Sequence, residues 1–237
     1  MKEYSDLEER YKKYLPNHTN ARAESTIKKY WEHVVVAFRW KGGDPTDWTQ
    51  DDADSYRAYM KRIYNRNSES PENENTLIPH CAALKAYFRL IGLDIKLKTP
   101  RKTEINKEPL TEREMDKIEE CAKDENLRDY AILKVLRETM QRVSDVCSID
   151  INRISKKNST IRLFIKKTQK WHSANISQNC LDAIEQYVAH EREEPKDGSK
   201  ALFTTKYGNR IDRDAIWNIV RKYAARAGIK KKIYPHL

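Results

Sequence analysis

At 237 residues the chain has room for one large domain or two small ones. Lys and Arg exceed Asp and Glu by 46 to 36, and hydrophobic content is 38% with regular apolar spacing, so a folded protein with a polyanionic partner is expected, nucleic acid before membrane. Four isolated cysteines (81, 121, 147, 180) exclude zinc ribbons and disulfide frameworks, and no apolar run reaches membrane-spanning length.

The first segment, Lys2 to Tyr14, has the spacing of a short amphipathic helix that Pro16, Asn17 and Asn20 break. A second helix begins at Ser25 or Thr26, whose hydroxyls suit a cap, and carries Ile27, Tyr30, Trp31, Val34, Val35 and Phe38. KGGDPTDW stops it, because Gly42, Gly43 and Pro45 cannot continue a helix. Thr49 opens a third helix with acids in its first turn and bases toward its end, as the helix dipole prefers. After a polar loop, a fourth helix runs from Asn75 to Ile91 and closes at Gly92. Four helices with short loops form a small bundle over residues 1–95.

The stretch LKTPRKTEINKEP has two prolines and no helical period. It reads as a basic interdomain linker, 96–108, in which Lys98, Arg101 and Lys102 are candidate DNA contacts. Thr111 then starts a second domain, 109–237, with the capping box T-E-R-E. A helix from Leu127 to Glu138 follows. Next comes LRETMQRVSDVCSID, in which Arg142 stands after a polar turn and before a short amphipathic helix of Val143, Val146 and Ile149. An Arg there can offer a planar fork of donors to a phosphate, or it can simply cap a surface loop.

The period then changes to two. Ile161, Leu163 and Ile165 alternate with Thr160, Arg162 and Phe164, KKTQKWHS forms a polar turn, and Ala174 to Ile176 returns as a second strand. Lys166, Lys167 and Lys170 crowd the tip of this hairpin. His172 beside Trp171 reads as a tip residue rather than a ligand, and His18, His33, His80 and His190 show no metal-ligand spacing. Helices resume at 179–192 and 212–227. Six bases follow without an acid, Arg221, Lys222, Arg226, Lys230, Lys231 and Lys232; Arg221 and Lys230 to Lys232 are candidate DNA contacts. The charged N-terminus, MKEYSDLEERYKKY, is unlike a signal peptide, so a soluble cytoplasmic protein is expected, with no cofactor and no metal.

This layout resembles the tyrosine recombinases, the phage integrase family. STIKKYWEHVVVAF and TLIPHCAALKAYFRLIG look like helices of that family's N-terminal core-binding domain, and EPLTEREMDKIEE like the entry to its catalytic domain. TMQRVSDVCSIDI is similar to the box bearing the first catalytic Arg, FIKKTQKWHSANIS to the hairpin bearing the catalytic Lys, and YPHL to the start of the His-x-x-Arg box. The resemblance implies a mainly α fold with a small antiparallel β-sheet: a SAM-like helical core-binding domain plus a catalytic domain, clamping duplex DNA and self-associating as a tetramer. It makes Arg142 the phosphate-binding Arg, Asp145 its acidic support, Lys167 the acid that protonates the leaving 5′-hydroxyl, and His236 the first His of the box. Met140 departs from the family, which usually has Gly there. No tyrosine follows a matching box before Leu237, so the catalytic domain reads as incomplete, no nucleophile is nominated and no strand cleavage is expected from these residues alone. Two readings stand at this point: a site-specific DNA recombinase working through a covalent phosphotyrosine, or a non-catalytic DNA-binding relative occupying recombination sites.

Overall fold

Tyr11 and Leu15 of α1 (Ser5–His18) are fully buried, and the Tyr11 hydroxyl donates to the Ala83 carbonyl across the first helical unit at 2.7 Å. The structure, a computed structural model, describes residues 4–19, 23–42, 44, 46–66, 74–104, 108–165, 167–231 and 233. The chain divides into two compact units, residues 1–105 and 106–237. It is mainly helical with one small antiparallel sheet. No described helix is long and apolar enough to cross a membrane.

In the first unit α1 packs on α2 (Glu24–Lys41) and α4 (Leu77–Leu90), with α3 (Gln50–Arg66) alongside. The stripe Trp31, Val34 and Phe38 on α2 follows the helical repeat, and Phe38 meets Tyr87 on α4 edge to face in a core rich in aromatic rings. Two expectations fail here. Pro16 lies inside the last turn of α1 instead of ending it: the proline removes one backbone donor, and burial of Tyr11 and Leu15 outweighs that loss. Helix α2 starts at Glu24 behind Ala23, with no side-chain cap from Ser25 or Thr26.

The basic stretch after α4 lies against this unit. Leu97 is buried, Gln50 exchanges two hydrogen bonds with the Lys96 backbone, Arg57 Nε donates to the Lys98 carbonyl, and Asn75 exchanges two with the Thr103 backbone. Residues 96–103, read as linker, are therefore tied to α3 and to the 3-10 turn Glu74–Thr76.

The second unit opens with α5 (Glu112–Lys123), whose Thr111–Glu114 capping box forms in both directions. α6 (Leu127–Thr139) packs on α8 (Gln178–His190), and each caps the other. Glu138 accepts from the Ser177 N–H and hydroxyl at the start of α8, and Glu191 accepts from the Leu127 and Arg128 N–H groups at the start of α6. α7 (Val143–Cys147) and α9 (Arg213–Arg226) complete the helices.

The sheet runs β1 (Ile154–Ser155), β2 (Thr160–Ile165), β3 (Lys170–Asn175) in that order, all antiparallel. Ile161, Leu163 and Ile165 face the core, as their alternation predicts. The second hairpin strand begins at Lys170, four residues earlier than expected. Lys170 to Ser173 are all exposed, so they carry no alternation, yet their backbones continue the pairing with Arg162 to Ile165. Trp171 and His172 are thus strand residues, not turn residues.

Candidate active site and nucleic-acid interface

Arg142 is held by its backbone, and its side chain is exposed. Met140 ends α6 in a left-handed conformation (φ 51°), with its N–H on the Leu136 carbonyl. The Arg142 carbonyl then accepts from the Asp145 and Val146 N–H groups at 2.8 and 3.1 Å, opening α7, whose Val143 and Val146 are buried. The guanidinium is exposed and has no ion-pair or hydrogen-bond partner among the described residues. One turn on, Asp145 is 1% exposed, and its Oδ2 has no donor among the described residues. An unpaired buried carboxylate oxygen is costly, so the position suits an acceptor that a guanidinium or ring N–H completes.

Arg210 locks the exit of α7. Its Nη1 donates to the Cys147 and Ile149 carbonyls, both at 3.1 Å, and its Nη2 to Asp150 Oδ1 at 2.6 Å. No local sequence signal marks this arginine, because its partners lie in a distant segment.

The hairpin turn places Lys167 in solvent after the buried Ile165, and Lys170 opens β3 opposite Ile165. Lys170 and His172 lie on the Ile165–Leu163 side of the ribbon, whereas Trp171 pairs with Phe164 on the other side. No hydrogen bond or ion pair joins Arg142, Asp145 and Lys167 among the described residues; their elements are related by the packing of α7 on β2. Lys166, Lys232 and His236 lie outside the described residues.

The remaining basic candidates fall into two kinds. Lys98, Arg101, Lys102 and Lys230 are exposed; Lys98 also lines, with Lys85, Arg89 and Lys96, a basic cavity of about 400 Å³ on the first unit. Arg221 bonds Asn218 and leans on Trp217. Lys231, by contrast, is engaged: its Nζ lies 2.6 Å from Glu114 Oε2 and from the Pro109 carbonyl. That ammonium, with the Thr111 N–H, pulls the Glu114 carboxyl down to about 2. The histidines are less scattered than their spacing suggested. The rings of His33 and His80 lie tilted against each other with centroids 3.7 Å apart, and His80 Nε2 shares a hydrogen bond with the Tyr64 hydroxyl. Among the described residues no group of three or more His, Cys, Asp or Glu could hold a metal.

A helical unit followed by a mainly helical unit with a small antiparallel sheet, in a chain of net charge +10, is the architecture of a basic two-domain protein. Residues 108–237 match the phage integrase family. Over 98% of its length the chain is 31% identical to tyrosine recombinase XerA of Pyrococcus horikoshii, covering 76% of that relative. Its fold matches a lambda integrase dimer bound to a COC′ core site (TM-score 0.66, 14% identity, 96% of this chain and 82% of that one). It also matches a lambda integrase tetramer bound to a Holliday junction (TM-score 0.66, 16% identity, 96% and 67%). The chain belongs to the phage integrase family, the tyrosine recombinases.

Proposed function

We propose that this tyrosine recombinase is a site-specific DNA strand-transferase of the cytoplasm. It binds duplex DNA and, in a form carrying the family's tyrosine, cuts and rejoins it through a covalent 3′-phosphotyrosine. The observation that carries this reading is Arg142, a guanidinium with a fixed backbone and no protein partner among the described residues, one turn from a buried carboxylate oxygen that lacks a donor. A phosphodiester under attack gathers charge on its non-bridging oxygens, and a bidentate fork held in advance stabilises that charge without reorganising.

The tyrosine oxygen attacks phosphorus, the bond to the 5′ oxygen breaks, and Lys167 supplies the proton that the leaving oxygen takes. His236 assists at the phosphate, and Asp145 gives acidic support to Arg142. Lys98, Arg101, Lys102, Lys166, Lys170, Arg221, Lys230 and Lys232 engage the flanking phosphates, with Lys231 contributing through the fold. Copies assemble on paired sites, in line with the tetramer that lambda integrase forms on a Holliday junction.

The test is selection of bound duplexes from a random pool, followed by ethylation interference on the enriched site. We expect an enriched sequence, with interference at one phosphate that disappears in Arg142→Lys while flanking phosphates are unaffected. An unenriched pool, or the same interference pattern in both proteins, overturns the reading.

A further inference from the structure

The sheet's outer face carries a group of side chains that the proposed strand transfer does not use. Trp171 pairs with Phe164 there, ring against ring at 5.3 Å, and remains 47% exposed. Arg162 stands two residues before Phe164 on the same side of β2. Arg153 ends the 3-10 turn Ile151–Arg153, which leads into β1 and packs against β2. Both guanidiniums lean on one indole: Arg153 Cζ is 4.6 Å and Arg162 Cζ 4.9 Å from the ring centroid.

Two like charges brought to one ring repel. The indole offsets part of that repulsion, since each cation gains from the ring face. Nothing else does: neither guanidinium has a carboxylate or hydrogen-bond partner among the described residues, and Arg153 Nε is buried without an acceptor. From Ile151 to Ile176 there are seven Lys and Arg and no Asp or Glu. Among the described residues, the one acid from elsewhere that reaches this stretch is Glu185, which pairs with Lys156 at 2.8 Å, not with either arginine. Two unneutralised forks, spaced and oriented by an aromatic platform, lack only an anion with several acceptor oxygens.

We propose that Arg153, Arg162 and Trp171 form a subsite for a backbone phosphate of duplex DNA, separate from the phosphate held at Arg142. The subsite rests on the DNA reading above. Duplex DNA is favoured over an acidic peptide because the unpaired charge continues to both ends of the ribbon, at Lys157 and Lys167 in its two turns, both exposed and without carboxylate partners among the described residues. A row of phosphates meets such a line; a short acidic segment meets only part of it. The guanidinium fork also matches phosphate geometry in a way an ammonium does not.

The experiment measures binding of a random-sequence duplex by fluorescence anisotropy across a salt series, for the wild type and for R153Q/R162Q, R153K/R162K and W171L. The double Gln variant should bind roughly ten-fold more weakly or worse at low salt. Its slope of log affinity against log salt should fall by about one for each phosphate that the variant no longer engages. The double Lys variant should keep most of the slope and lose affinity, and W171L should lose affinity with the charge intact. Phenylglyoxal modification of the wild type gives a readout independent of any variant's folding: bound duplex should protect Arg153 and Arg162. A double Gln variant with wild-type affinity and slope, or arginines equally reactive with and without DNA, overturns the subsite and leaves the DNA reading standing. Failure of the wild type to bind duplex at low salt overturns both. Retained duplex binding with loss of binding to poly-glutamate in the double Gln variant assigns the face to an acidic protein instead.

Discussion

Met140 adopts a left-handed backbone (φ 51°, ψ 26°) two residues before Arg142, so a strained residue sets the turn that presents the arginine. A non-glycine residue pays about 1–2 kcal/mol in that region. The Met140 side chain is 69% exposed, and little burial offsets the strain. Glycine would relieve it while adding about 0.4–1 kcal/mol of unfolded-state entropy. Met140→Gly should therefore stabilise the second unit by about 0.5–1 kcal/mol, read as a higher urea midpoint at unchanged slope. A lower midpoint would mean that the Met140 side chain contributes packing.

Which parts of this molecule were readable follows from how local their causes are. The Thr111–Glu114 box, the apolar stripes of α2 and α4 and the alternation of β2 are short-range patterns, and each element forms where its pattern lies. Arg142 was conspicuous because a polar turn and a short apolar repeat flank it. β1 is two residues long and carries no pattern, while β3 is exposed along most of its length, so its strand character comes from pairing alone. The hold of Arg210 on α7, the contact of His33 with His80 and the two arginines over Trp171 arise only when distant segments meet. Pro16 shows the reverse case, in which tertiary burial overrides a strong local signal.

Arg210 acts on Arg142 through α7. Removing its guanidinium takes one donor each from the Cys147 and Ile149 carbonyls and from the Asp150 carboxylate, and the Ile149 carbonyl keeps the Leu202 N–H. Arg210→Met should cost about 1–3 kcal/mol and should speed hydrogen exchange at Val146 to Ile149 ahead of the rest of the unit. Arg210→Lys should recover only part of this, because one ammonium cannot serve three acceptors in a fixed fan. Unchanged exchange in α7 with lowered global stability would assign Arg210 a general packing role instead.

The stretch 96–103 should behave as part of the first unit under proteolysis. Backbone bonds to Gln50, Arg57 and Asn75, and the buried Leu97, hold it in place. Brief trypsin digestion should spare the bonds after Lys96 and Lys98, and R57A/N75A should open them several-fold faster. Equal cleavage in both proteins would show that these bonds do not restrain the segment.

His80 should make the first unit sensitive to mild acid. Its ring is 4% exposed on α4, packed at a tilt against His33 of α2 and bonded at Nε2 to the Tyr64 hydroxyl of α3, and its Nδ1 has no partner among the described residues. Burial first, and then the His33 ring, lower its pKa from 6.5 to about 4. His33 is lowered as well, chiefly by burial, with Lys29 adding to the shift and Glu32 opposing it. The folded ring therefore resists a proton that the unfolded chain accepts. Between pH 6.5 and 4 the unfolded state binds more protons, so stability falls as pH drops through that window and levels off below it. The Glu114 carboxyl, held near 2, loses its contribution only as pH falls from 4.5 toward 2, in the other unit, so the two effects separate. Urea denaturation followed by tryptophan fluorescence in a W171F/W217F background resolves the first, because the remaining Trp31, Trp40 and Trp48 lie in the first unit. His80→Phe keeps a ring against His33 and removes the titration. It should be less stable than the wild type at pH 7, because Tyr64 loses its partner, and its midpoint should change much less between pH 6.5 and 4. A wild-type midpoint that is flat across that range would show that the pair charges without resistance, and that the buried nitrogen finds a partner when it does.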